Sequence, residues 1–316
     1  MIKIFIVSEN IKLENNGKWI IDTFQDEFIK YTKKCEIVYD INKADIIWML
    51  TFNIDAIKKI QQMEKKYVIT TIHHIDNEKM NEFMVTLNLF ETVTNKYHVI
   101  CNKVYYDLRD LTNKSIIISN FWINELNFFK IINKEGLYKK YGLEHKKYYY
   151  VGSFQRDTEG KINCMKPKLS KGPDIFCNIV DDMRKRGMNP FVILAGRRRG
   201  YIIRCLNDLH IPYKYFEMVT NEELNELYNL LDLYIVSSRV EGGPRAIMEC
   251  GLSKTPIIST NVGVSEYILQ DESIYDMNNY LTYRNAKINV ETAFENTNKY
   301  TISNYMDTFT LIFNLY

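Results

Sequence analysis

Nowhere in this chain is there a C-x-x-C pair, a histidine cluster at zinc-ligand spacing or an Asp-x-Asp motif. The six cysteines, Cys35, Cys101, Cys164, Cys177, Cys205 and Cys250, are scattered, which argues for reduced intracellular thiols and against a zinc module. No apolar run has the length of a membrane span. The opening "MIKIFIVSEN" lacks the basic flank, long apolar stretch and cleavage site of a secretory signal, so the expected compartment is the cytoplasm. Charge of one sign is also missing: 41 basic against 39 acidic residues leave +2 over 316 residues. A nucleic-acid partner is not expected on that balance, and any anion has to be bound locally. Repeats and low-complexity segments are absent, and only 6 prolines occur among many Asn, Ile, Lys and Tyr, a composition suggesting an AT-rich gene.

What is present is an alternation of short β-rich runs with amphipathic segments of helical length, in a chain long enough for two cores and 46% hydrophobic. "IKIFIVS", "CEIVYD", "ADIIWML", "YVITTIHH", "YHVICN" and "SIIIS" read as parallel strands, and Ile20, Phe24 and Phe28 recur every four residues between the first two. This Rossmann-like half ends near Asn120. Phe121 to Tyr150 break the rhythm with mixed aromatics and lysines, and show no clear amphipathic face. They read as a solvated linker, with weak peripheral contact to an anionic membrane as the second reading. A second series follows: "YYYVGSF", "PFVILAG", "YKYFEM", "LDLYIVS" and "TPIIST", with a capping box at Thr220 and Glu223. The expectation is an α/β chain with an acceptor domain over 1–145 and a donor domain over 146–301. The segment 302–316 packs back on the first domain, and the two face each other across a cleft lined by the carboxyl ends of the strands.

The densest chemistry lies in "SSRVEGGPRAIMEC". Pro244 suits a first helical position, and Gly242 and Gly243 leave the backbone bare beside it, exposing helix N-terminal amides to an anion or a sugar hydroxyl. Glu249 lies about 7 Å further along the helix axis than Pro244, so it meets a different part of an elongated ligand than Glu241 does. A carboxylate can accept both hydroxyls of a ribose diol.

This stretch resembles the signature of retaining GT-B glycosyltransferases of family four. Glu241, Gly242, Pro244, Glu249, Gly251, Pro256, Thr260, Gly263 and Glu266 all fall at that family's spacing, while Cys250 and Leu252 replace its usual alanines. The resemblance implies that Glu241 contacts the donor sugar and Glu249 the nucleotide ribose, with Gly242, Gly243, Pro244 and Arg245 around the nucleotide. It implies Arg156 and Lys171 against the diphosphate, since Lys-Gly-Pro-Asp matches the family's helix start, with Lys161 and Lys168 also in this unusually long loop. "AGRRRG" would bring Gly196 and Arg197 near the base and phosphates. In the first half, Gly17 is the one glycine left of the family's phosphate-facing turn, and His73, His74 and Asp76 fall near the acceptor. The implied function is transfer of a sugar from a UDP- or GDP-sugar to a sugar, glycan, lipid or small-molecule hydroxyl. No cofactor and no metal are expected, because no Asp-x-Asp is available to hold a cation. A nucleotide-sugar epimerase and a non-catalytic sugar-nucleotide or glycan-binding protein remain as the other readings.

Overall fold

The computed structural model describes residues 1–8, 20–160 and 165–314. They form two compact units, one of Met1–Trp122 with Tyr300–Tyr316 and one of Ile123–Lys299.

The first unit is built on six parallel strands: β1 (Ile2–Val7), β2 (Cys35–Ile37), β3 (Ile46–Met49), β4 (Tyr67–Ile72), β5 (Lys96–Val99) and β6 (Ser115–Ile118). Their order is β2-β1-β3-β4-β5-β6, the flavodoxin-like winding, whose switch point lies between β1 and β3. Helices α1 (Ile20–Tyr31), α2 (Ile54–Gln61), α3 (Met80–Glu91) and α4 (Asn102–Arg109) connect them. The four residues of β3 are all buried, as expected of a central parallel strand covered on both faces. On one face, Phe28 of α1 and Trp48 of β3 pack with Trp122, Phe309 and Phe313. The last two come from the chain's final helical turns, so the C-terminal segment does pack back on the N-terminal unit. Both rings are fully buried, each worth ~1.5–3 kcal/mol of transfer free energy.

The second unit holds β7 (Tyr149–Ser153), β8 (Pro190–Ala195), β9 (Tyr213–Phe216), β10 (Leu233–Val236), β11 (Ile257–Thr260) and a short β12 (Ile274–Tyr275), all parallel, in the order β12-β11-β10-β7-β8-β9. Counted within the unit this is the Rossmann order 3-2-1-4-5-6, whose switch point lies between β7 and β10. Its helices are α5 (Glu135–Lys140), α6 (Pro173–Lys185), α7 (Gly200–Asp208), α8 (Asn221–Leu230), α9 (Arg245–Ser253), α10 (Ser265–Ile268) and α11 (Val290–Asn298); α12 (Ile302–Phe309) belongs to the first unit. The capping box on α8 is present, with the Glu223 amide donating to Thr220 and the Thr220 amide to Glu223.

The solvated linker is a correction. Most of Phe121 to Tyr150 is packed into the second unit, where Phe128, Tyr138, Tyr141 and Leu143 are buried. The segment runs along α8, and its amides at Phe129 and Ile131 donate to Asn225 and Asn229, at 3.0 and 2.8 Å. Before α5 the backbone is irregular, and around Phe129 and Ile131 side-chain amides take the place of a helix or ladder, which hides the periodicity.

Candidate active site

At the switch point of the second unit, the loops that leave β7 and β10 meet the start of α6. Gly172 ends the preceding 3-10 turn with φ +60, and a Cβ there would collide with the Ser237 carbonyl. Only glycine allows this left-handed turn to touch the β10 loop. The contact brings the Lys171 ammonium onto Glu241 as an ion pair, their side chains 21% and 14% exposed. Gln155, from the β7 loop, donates to the Lys171 carbonyl at 3.0 Å and accepts from Ser238 at 3.1 Å, and Ser237 also reaches the Lys171 carbonyl. Arg239 closes the arrangement. Its amide and that of Val240 donate to the Ser170 carbonyl, while its guanidinium forks onto Asp174 at 2.8 and 2.6 Å. Such planar, bidentate pairs fix geometry as well as charge. The Arg239 fork also holds the Asp174 carboxyl below the usual range, against the opposing effect of burial.

Helix α9 begins one residue later than expected. Pro244 is its N-cap, at φ −61 and ψ 108, and Arg245 is the first helical residue. The proline ring sets φ, but the extended ψ keeps Pro244 outside the helix. Gly243 is exposed and Gly242 buried. Gly263, at φ +55, lies so close that a Cβ would strike the Gly242 carbonyl. Within α9, Glu249 is buried; its Oε2 accepts from the Tyr228 hydroxyl at 2.7 Å and its Oε1 pairs with Arg245 Nε at 3.4 Å. Tyr228 was not among the residues singled out from sequence, since a tyrosine in an amphipathic helix reads as core.

The remaining basic candidates separate by burial. Arg156 is half-buried, and its Nε donates to the Thr158 carbonyl at 2.7 Å. Of the three arginines in "AGRRRG", Arg199 is the structural one: fully buried, it bonds Asp157 at 2.8 Å, the Ala195 carbonyl and Ser153. Gly196 and Arg197 are half-buried just beyond β8. Lys168 is half-buried on the strand-like return of the long loop, where its amide donates to the Asp157 carbonyl. Lys161 lies outside the described residues.

In the first unit, His73 and His74 follow β4. The His73 ring stacks on Phe121 at 5.7 Å, and its Nε2–H donates to the Leu50 carbonyl at 2.8 Å. Burial lowers its pKa to about 4, so the ring is neutral at pH 7. His74 is exposed, and Asp76 accepts from the Glu78 amide as the cap of a short 3-10 turn. A further histidine, missed in the sequence, is wholly buried: His98 Nε2–H donates to the Ser119 carbonyl at 2.8 Å, and Nδ1 accepts from Thr71, which itself accepts from Trp48. Gly17 lies outside the described residues. Among the described residues no group of three or more His, Cys, Asp or Glu side chains could hold a metal, and no helix is long and apolar enough to cross a membrane.

Residues 164–288 match the family model described as Glycosyl transferases group 1. The matched segment, less than half of the chain, carries Lys171, Arg197, Glu241 and Glu249 and is similar to a family of transferase enzymes. Arg156 and the whole first unit lie outside it. No curated protein matches the chain by sequence. Among solved structures, HepE from Anabaena in complex with UDP-glucose superposes with a TM-score of 0.73 at 12% identity, covering 99% of this chain and 100% of that one. Sucrose-phosphate synthase from Thermosynechococcus elongatus gives 0.65 at 11% identity, covering 93% and 76%. A glycosyltransferase from Rickettsia africae ESF-5 gives 0.60 at 16% identity, covering 96% and 83%. At these identities the likeness speaks for the fold. The chain has the GT-B fold, with two Rossmann-like domains.

Proposed function

We propose that this chain is a retaining, metal-independent glycosyltransferase that moves a sugar from a nucleoside-diphosphate sugar to a hydroxyl acceptor. One observation carries the reading: Lys171 and Glu241 meet at the switch point between β7 and β10, directly before the helix that holds Glu249. Open α/β sheets bind ligands at that position. In this reading Lys171, with Arg156 and the first amides of α9, stabilises the departing diphosphate, because charge stabilisation is usually the largest catalytic term. Glu241 accepts hydroxyls of the donor sugar and Glu249 those of the ribose, with Gly196 and Arg197 beside the base. The donor phosphate takes the acceptor's proton, which needs no enzymic nucleophile. His73 or His74 lies on the acceptor side, and His73, neutral at pH 7, serves there as a hydrogen-bonding group. The exposed Leu126, Phe129 and Ile132 beside Lys130 support a weak contact with an anionic membrane carrying the acceptor, in a cytoplasmic protein.

HepE is solved with UDP-glucose, which makes uridine the first base to try. UDP-, GDP- and ADP-sugars are screened for thermal stabilisation, since a ligand at a hundred times its dissociation constant adds ~2.7 kcal/mol. The stabilising donor is then incubated with EDTA, with and without sugar acceptors, and the anomeric configuration of the product is read by NMR. Transfer with retention in EDTA is expected. Rescue of lost turnover by magnesium or manganese would overturn metal independence; an epimerised donor without acceptor would point to the epimerase instead.

A further inference from the structure

The carboxylate of Glu249 is held from two sides that differ in kind. Arg245 is one turn earlier on the same helix, at 3.4 Å and on a flexible stem. Tyr228 comes from a different helix, α8, and donates its hydroxyl to Oε2 at 2.7 Å. Its ring is 1% exposed and wedged between Phe154 at 4.8 Å, Tyr234 at 5.3 Å and Phe128 at 6.1 Å. Phe154 is in turn fixed by its amide, which donates to the Tyr234 hydroxyl at 2.9 Å. Phe154 opens the same loop that carries Gln155 and Arg156. The hydroxyl of Tyr228 therefore has one reachable position, and the carboxylate it bonds has one favoured rotamer.

We infer that Tyr228 is the positioning residue that aims Glu249 at the ribose 2′,3′-diol of the bound nucleotide. The inference rests on the ribose role proposed above for Glu249. A carboxylate has roughly four lone-pair directions. The tyrosine bonds Oε2 and the arginine faces Oε1, and together these contacts set the plane in which the carboxylate meets the diol. Removing the tyrosine hydroxyl takes away the contact that reaches the carboxylate from another helix, and its rotamer can then turn from the diol. Burial and the adjacent carboxylate both raise the phenol's pKa well above its ordinary value, so the group stays a donor throughout the working pH range. A purely structural tyrosine would fill the same space and satisfy the same buried oxygen. The two roles differ in whether the hydroxyl matters to the sugar ring of the ligand.

The test deletes one atom on each side. Affinities of UDP and GDP, and of their 2′-deoxy analogues, are measured by calorimetry at low temperature for the parent, Tyr228→Phe, Glu249→Gln and the double variant. For the parent, the better-bound nucleotide is expected to lose ~10-fold on 2′-deoxygenation, the value of a hydrogen bond to a charged group. In Tyr228→Phe that penalty shrinks to ~2–3-fold because the ribonucleotide, and not the deoxy analogue, loses affinity. Glu249→Gln lowers the penalty as well, and adding Tyr228→Phe to it changes the penalty no further. Equal weakening of both ligands by Tyr228→Phe, or no weakening of either, overturns the positioning role while leaving the ribose role of Glu249 standing. A parent that binds neither nucleotide, or does not distinguish ribose from 2′-deoxyribose, or a Glu249→Gln that keeps the penalty, removes the ribose role and this inference with it.

Discussion

Glu241→Gln is expected to change binding and catalysis in opposite directions. The Glu241 carboxylate occupies Lys171, and in the proposed function a diphosphate has to take its place. Two unit charges at ~4 Å interact by ~4 kcal/mol at an effective dielectric of 20, whereas well-exposed pairs yield only ~0.2–1 kcal/mol. With side chains 21% and 14% exposed the pair lies between these limits. Removing the carboxylate should therefore return ~1–2 kcal/mol to anion binding, which is a ~5–30-fold tighter nucleoside diphosphate. The sugar exchanges a charged two-oxygen acceptor for a single neutral amide oxygen at the same time, and the transfer rate should fall by ~10²–10³-fold if the contact tightens as charge develops. Calorimetry with the nucleoside diphosphate alone and initial rates with the full donor separate the two effects. The affinity gain should shrink as salt is raised, because the removed interaction is partly screened. In Lys171→Ala the gain should vanish, since no cation remains to be released. Unchanged or weaker binding of the diphosphate by Glu241→Gln would refute the exchange of Lys171 between carboxylate and phosphate.

Two further outcomes follow from the local geometry. His98 has its pKa lowered from 6.5 to about 4 by burial, so above pH 6.5 the ring is neutral folded or unfolded and contributes no pH dependence. Below that, the unfolded chain takes a proton that the folded chain refuses until about pH 4, and stability is lost through this window, by ~3 kcal/mol at 1.36 kcal/mol per unit. Denaturant titrations of the parent and His98→Gln should diverge by that amount from pH 6.5 to pH 4, and parallel curves would exclude it. Gly172→Ala should cost ~2–4 kcal/mol, the left-handed φ plus a backbone collision, whereas Gly187→Ala, at φ +83 with open space around it, should cost only ~1–2 kcal/mol. Equal melting temperatures for the two variants would argue against the Gly172 contact.

The parallel strands were legible because a buried strand writes itself as an apolar run, as "IIWM" and "LYIV" do. The Thr220 capping box was legible for a similar reason: its partners are three residues apart. The connector's irregular first part was not, since its amides at Phe129 and Ile131 are satisfied by Asn225 and Asn229 nearly a hundred residues further on. At the candidate site, Lys171, Glu241 and Glu249 stand out through spacing along the chain, while Tyr228, Arg239 and Gln155 act through contacts across it. The triplet Arg197 to Arg199 shows the same limit. Three identical side chains in a row carry no local signal that Asp157 buries the third.

Those partners also bear on what the site can select. The net charge of +2 provides no general attraction for anions, and cations around the switch point already have carboxylates: Lys171 has Glu241, Arg239 has Asp174, Arg245 has Glu249 and Arg199 has Asp157. Arg156, held by the Thr158 carbonyl, stands outside these pairs, but a bare phosphate must break a carboxylate pair to engage any of these four cations. A nucleoside-diphosphate sugar brings compensation with it. In the function proposed above, its diphosphate displaces Glu241 from Lys171 while its sugar hydroxyls supply donors to the freed carboxylate, and its ribose does the same for Glu249. Pairing cations with acids in this way lowers affinity for simple anions and favours a ligand that carries anionic oxygens and hydroxyls a fixed distance apart, which is discrimination obtained by penalising the wrong partner as much as by attracting the right one.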